Sequence, residues 1–186
     1  MKQVGELIEQ SIEAMERGVF ETACASACAA LKITLKKSLK TDDLNNGDYH
    51  NFIKQHWRLL AFMSLPQALP LPLDVDYKLK LIVHGFNISG AEELVLHLAR
   101  QTAIMGRTPA QFKFHSGAGF EIRNNQIYVP ATLIYGLVNI VIFQPVNKGE
   151  SVPEKFWINI SDFKMFISEF WGRIDLAERI MSFYLS

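Results

Sequence analysis

Between residues 93 and 115 the chain reads ELVLHLARQTAIMGRTPAQFKFH, and this stretch holds the side chains best suited to chemistry. Glu93, His97 and Arg100 follow one another at four and three residues, a spacing that puts all three on one side of a helix. An imidazole exchanges protons near neutral pH, and a guanidinium holds phosphate in a fixed fork. Glu93 can orient or charge the ring. The same trio also arises on an ordinary solvated helix face with one charge pair. Arg107 and His115 follow, but Pro109 separates them and no single helix carries both. Lys113 and Arg123 could join Arg107 and His115 in a basic surface if strand alternation turns them the same way, and simple solvation of a strand explains them equally well.

Other constellations carry less. His50 and His56 are six apart and fall on different faces of a helix, so the four-residue spacing of a two-histidine metal site is absent. Cys24 and Cys28 lie four apart in an alanine-rich segment. On one helix face their side chains diverge from disulfide geometry, no further cysteine is present to build a zinc site, and both read as small core residues. Trp57, Trp157, Trp171 and the thirteen phenylalanines mostly fall on apolar stripes and read as core, with Trp157 in KFWINI the one whose exposure matters for base stacking. There is no GxGxxG, no P-loop and no nucleophile elbow, which argues against nucleotide hydrolysis of those classes and against a serine triad. No metal and no cofactor is expected.

These side chains must be positioned by elements that the pattern largely defines. Val4, Leu7, Ile8, Ile12 and Met15 recur at helical spacing until Gly18. FETACASACAALKITLKKSLK predicts a second helix whose Ala and Cys stripe lets another backbone approach closely, with lysines at its C-terminal end opposing the helix dipole. After the loop TDDLNNGDYH, Asp48 can cap a third helix that Pro66 ends. PQALPLPLD excludes a regular element. YKLKLIVHGF, inside the ambiguous segment 74–88, fits a short helix or a strand, and its helical neighbours favour helix. Ser89-Gly-Ala-Glu92 is a capping-box pattern opening the helix that carries Glu93, His97 and Arg100, and Gly106 with Pro109 stops it. QFKFH, FEIR and QIYV flank Asn124-Asn125, a pair that tolerates positive φ, and predict a small antiparallel hairpin over about 111–129. Pro130 suits the first turn of a helix through LIYGLVNIVIF, and Ser161 with Asp162 can start a last helix over 161–184, with Phe163, Phe166, Ile167, Phe170, Ile174, Ala177 and Ile180 on its apolar face.

The sum is a mostly α protein, a bundle of about six helices with one small β insert, in a single domain over 1–186. The 186 residues suffice for one proper core, and 49% hydrophobic with 20% charged residues argues for a globular chain. Nineteen Lys and Arg balance nineteen Asp and Glu, so no global field attracts nucleic acid or an anionic membrane. The charged N-terminus MKQVGELIEQ lacks a signal peptide's apolar core, and the run Thr132 to Phe143 is too short to span a bilayer. The expected compartment is the cytoplasm, with no membrane contact.

The order of elements adds a resemblance. ETACASACAALKITLKK, then Leu94-Val95-Leu96-His97-Leu98-Ala99-Arg100, the hairpin and YVPATLIYGLVNIVIFQPVN resemble the HEPN-like helical proteins of prokaryotic defence and toxin systems. RNA-cutting members of that family use an arginine, then four to six residues, then a histidine, at a dimer interface. Arg100 matches the arginine, and the histidine's place falls on Met105. A thioether neither takes nor gives a proton, so acid–base catalysis worth ~10²–10⁴-fold is missing. The resemblance therefore implies a non-catalytic cytoplasmic homodimer that binds a protein or RNA partner in a defence or toxin-antitoxin-type system. One alternative is a metal-independent RNase in which Arg100 works with His97 or His115. Another is a structural or regulatory subunit without nucleic-acid contact.

Overall fold

The computed structural model describes residues 3–64, 81–83, 86–88, 90–117, 119–160 and 163–185. Among these it has six α-helices, α1 (Val4–Glu16), α2 (Phe20–Leu39), α3 (Asn46–Ser64), α4 (Ala91–Met105), α5 (Thr132–Ile142) and α6 (Ile174–Leu185). The strands are β1 (Leu81–Val83), β2 (Phe86–Ile88), β3 (Phe112–His115), β4 (Glu121–Arg123), β5 (Gln126–Pro130), β6 (Trp157–Ile160) and β7 (Phe163–Phe166). The architecture is mostly α with small β elements, as the patterning predicts.

The core is built around α5. Nine of its eleven residues are buried, because LIYGLVNIVI is apolar on every side. It packs against both α2 and α3, while α1 lies along α2, and α4 touches α2 and α3. Small residues set these approaches. The Ala and Cys stripe of α2 is wholly buried at Ala23, Cys24, Ala27, Cys28 and Ala30. A Cβ on Gly136 of α5 would come within 2.9 Å of the Leu60 carbonyl oxygen and 2.8 Å of Ser64 Cβ, so only glycine admits α3 at this distance. At the other end of the bundle, Glu150 accepts a hydrogen bond from the Gly5 amide at 2.9 Å and pairs with Lys37, tying the loop after α5 to the start of α1 and the end of α2. Burial pushes this carboxyl up, and Lys37 and the helix amides outweigh it, so its pKa sits below the usual value.

The helix ends follow local chemistry. Asn45 caps α3 by accepting from the amides of Gly47 and Asp48 at 2.7 and 3.3 Å, and Asp48 accepts from the Asn45 amide at 2.7 Å. Asp48 thus closes a capping box instead of serving as the cap itself. α4 begins after Gly90, which makes no side-chain cap, and the expected Ser89 cap lies outside the described residues. Gly106, with φ 69°, ends α4 as predicted.

Four expectations need correction. The favoured helix over 77–86 is not found where the structure describes the chain: β1 and β2 pair antiparallel, with Leu81 opposite Ile88. The β insert is a three-stranded sheet in the order β3-β5-β4, in which β4 and β5 form the predicted antiparallel hairpin and β3 runs parallel to β5. Asn124 and Asn125, at φ 50° and 59°, make the turn. Pro130 ends β5, and α5 begins at Thr132. The last helix does not start at 161: β6 and β7 form a hairpin with Trp157 opposite Phe166 and Ile158 opposite Met165, and Ile167–Glu169 is a 3-10 turn. Ile158-Asn159-Ile160 and Phe163-Lys164-Met165 alternate apolar and polar with period two, the pattern of a half-buried strand. Gly172, at φ 73° and with its amide donating to the Ile142 carbonyl at 2.9 Å, then forbids a helix before Ile174.

Candidate functional site

α4 turns Leu94, Val95, Leu98, Ala99, Thr102 and Ala103 into the core, which leaves Glu93, His97 and Arg100 along its half-buried flank. The His97 ring lies 6.0 Å from Phe112 of β3. Burial first, and the Arg100 charge second, lower its pKa, so the imidazole is neutral at neutral pH. Arg100 thus lies close enough to His97 for its charge to act on the ring. Met105 stands where the resemblance needs a histidine, and it is 49% exposed beside Ile104 at 60%.

The remaining predicted residues go elsewhere. Arg107 is exposed beyond the Gly106 stop, where Thr108 donates its hydroxyl to the Glu21 carbonyl at 3.2 Å. His115 anchors the turn after β3. Its Nε2–H donates to the Gly119 carbonyl at 2.8 Å, and its Nδ1 accepts from the Gly117 amide at 3.1 Å, which commits both ring nitrogens. A Cβ at 117 would meet Nδ1 at 2.7 Å, so the glycine is part of the turn. His115 is three residues along the strand from Phe112, about 10 Å at ~3.3 Å per residue, which separates it from His97.

The alternation question has a definite answer. Lys113 pairs with Tyr128, His115 with Pro130 and Arg123 with Gln126, so the three basic side chains share the sheet's outer face. Glu121, also opposite Tyr128, offsets part of that charge: it forms an ion pair with Arg123, whose guanidinium stacks 5.4 Å from the Tyr128 ring. The other two described histidines are accounted for separately. His50 is exposed. His56 donates from Nδ1 to the Phe52 carbonyl at 2.9 Å and accepts from Gln144 at 2.9 Å, and burial lowers its pKa despite that bond and the charge of Glu178.

A second surface was only half visible in the sequence. Trp157 is 49% exposed and Phe166 47%, their centroids 6.4 Å apart on the outer face of the β6–β7 hairpin, while Ile158 is buried beneath. The Lys164 ammonium lies over the Trp157 ring, and Lys155 lies 4.6 Å from the Phe156 ring. Trp157 drew attention by its place in KFWINI, whereas Phe166 fell on the apolar stripe of a helix that does not form. Period-two alternation on both sides of residues 161 and 162 is the signal that could have found the pair.

Among the described residues, no three His, Cys, Asp or Glu side chains cluster as metal ligands, and no helix is long and apolar enough to cross a membrane. Comparison with known proteins finds relatives along nearly the whole chain. It is 24% identical over 199 residues to "Uncharacterized protein Rv1289" of Mycobacterium tuberculosis (strain ATCC 25618 / H37Rv), and equally to "Uncharacterized protein Mb1320" of Mycobacterium bovis (strain ATCC BAA-935 / AF2122/97). The alignments cover 96% of this chain and 88% of either relative. No solved structure matches. Residues 80–185, which span α4, the β3–β5–β4 sheet and the β6–β7 hairpin, match the family described as Rv1289, and the chain belongs to that family.

Proposed function

We propose that the chain is a non-catalytic, HEPN-like cytoplasmic protein that docks a protein partner through the outer face of the β6–β7 hairpin. The observation that carries this reading is the exposed Trp157–Phe166 pair. Large aromatics half out of water on a hairpin rooted in the core are the residue types that dominate binding energy at interfaces. Charge favours protein over RNA. The sequence between residues 148 and 185 carries five basic residues, Lys148, Lys155, Lys164, Arg173 and Arg179, against six acidic ones, Glu150, Glu154, Asp162, Glu169, Asp175 and Glu178, so it has no net positive charge to attract phosphates. The homodimer belongs to the same reading. Ile104 and Met105 supply exposed apolar surface at the end of α4, where the resemblance puts the interface. A place in a defence or toxin-antitoxin-type system follows from the resemblance as well.

A second reading has one observation in its favour. His97 is held neutral beside Arg100, so a metal-independent RNase would use His97 as base and Arg100 for phosphate, with His115 excluded by its turn bonds. Tagged protein expressed in its native host separates the readings. The proposal expects a protein partner that co-purifies with the wild type and is lost with Trp157→Ser and Phe166→Ser, and no cleavage of a generic RNA in chelator. Cleavage that Arg100→Ala abolishes would replace it with the nuclease reading. An RNA shift at low salt that requires Trp157 would replace the protein partner with RNA.

A further inference from the structure

The three-stranded sheet ends on β4, and that edge is open. β4 packs on β5, no other described element lies comparably close to it, and residues 122–125 are exposed. The two-residue turn at Asn124 and Asn125, both at positive φ, fixes which backbone groups face the edge. Arg123 and Gln126 flank this turn and form the hydrogen-bonded pair that closes it. Hydrogen-bonded and open pairs alternate along an antiparallel ladder, so Ile122, opposite Ile127, is an open pair. The Ile122 amide and carbonyl therefore point away from β5, towards the free edge.

Its side chain is equally unfinished. Ile122 shares the core-facing side of the sheet with Ile127, which is 1% exposed, yet Ile122 itself is 49% exposed and projects past the core at the sheet's rim. Glu121-Ile122-Arg123 is complementary to its own reverse. A second β4 laid antiparallel about Ile122 sets Ile122 against its own copy, with two reciprocal N–H to carbonyl bonds, and Glu121 of each chain against Arg123 of the other. Within one chain Glu121 already pairs with Arg123 on the outer face. The four charges then alternate in sign around a rectangle, each with an opposite charge along its own strand and another across the contact. A parallel copy in the same register would set like charges together instead. A two-fold axis closes the antiparallel contact, which gives a dimer and not a fibre.

We propose that β4 is a self-pairing edge through which two copies of this chain join antiparallel at Glu121-Ile122-Arg123, merging two three-stranded sheets into one in the order β3-β5-β4-β4-β5-β3. This rests on the homodimer in the functional reading and adds a separately testable contact to the one at Ile104 and Met105. Three residues a side make a small contact, so the β4 dimer is weak and forms as concentration rises.

The test follows self-association of the full chain by sedimentation equilibrium from about 10 μM to about 1 mM, as wild type and with Ile104→Ser and Met105→Ser removing the apolar end of α4. The expected result is a dimer in both. In the second background, Glu121→Arg leaves only basic charges at the edge and Arg123→Glu only acidic ones. Each should weaken the dimer at least about 10-fold, because like charges then oppose each other in both halves of the two-fold contact. Mixing the two variants, or combining both changes in one chain, should restore it. Both side chains are solvent-accessible, at 63% and 39%, so thermal melts should change little. Self-association that vanishes with Ile104→Ser and Met105→Ser, or that either charge reversal leaves unchanged, overturns the β4 contact while the homodimer stands. A chain that stays monomeric throughout overturns both.

Discussion

Replacing Trp157 and Phe166 with serine should separate binding from folding. Each aromatic offers about 150–250 Å² of surface, and each is close to half exposed, at 49% and 47%. A partner that covers the hairpin removes about 100 Å² per ring from water, worth about 2.5 kcal/mol at ~25 cal/mol/Å². Each single variant should therefore weaken the complex by about 60-fold, since ~1.4 kcal/mol is tenfold. The double variant should fall short of the product, because the rings touch and neighbouring effects do not add. Folding should change little. The pair contributes about 0.2–1 kcal/mol as a cross-strand contact, and the Lys164 contact about 0.5–1 kcal/mol. At about 2–4 °C per kcal/mol for a chain this long, melting should drop by only a few degrees. The assay is a titration of each variant against the purified co-isolated partner, with thermal melts alongside. Affinities within threefold of wild type, in variants that melt normally, would refute the assignment of the hairpin as the docking face.

Three further outcomes test the account of the fold. Gly5→Ala would place a Cβ 2.1 Å from the Ser151 carbonyl oxygen, and the loop holding Glu150 against α1 must move; thermal melts should show about 1–3 kcal/mol of destabilisation, and an unchanged melting temperature would mean that this loop does not pack there. Asn125→Val forces a β-branched residue to φ 59°, at a cost of about 1–2 kcal/mol, whereas Asn125→Gly should be neutral or stabilising; equal melting of the two variants would contradict the turn. His56 and His97 both have lowered pKa values in the folded chain. Below the ordinary 6.5 the unfolded chain takes up protons that the folded one still refuses, so stability is intact above pH 6.5 and declines as pH falls through the folded values. Urea melts between pH 8 and pH 5 check this. A midpoint that rises on acidification would contradict it, and His97→Gln should flatten the slope.

Much of the fold was legible because local rules and tertiary packing agree. α1, α2 and α4 end at Gly18, near Lys40 and at Gly106, and the paired asparagines at 124 and 125 announce their own turn. Misreading came where two periods coexist. Phe163, Phe166, Ile167, Phe170 and Ile174 satisfy a helical stripe by number, but the first two belong to a strand and Gly172 breaks any helix that would join them. The parallel pairing of β3 with β5 was beyond local reasoning, since it depends on β4 being folded between them in sequence and outside them in space. At the site, the spacing of His97 and Arg100 was readable from helix geometry. The fate of His115 was not, because it depends on a loop whose Gly117 and Gly119 backbone atoms complete its hydrogen bonds.

The most direct test of the docking surface is amide hydrogen exchange of the chain with and without its co-isolated partner. The account predicts slowed exchange across residues 156–167, at the hairpin that carries Trp157 and Phe166. Protection confined to α4 around Glu93, His97 and Arg100, with the hairpin unchanged, would contradict it.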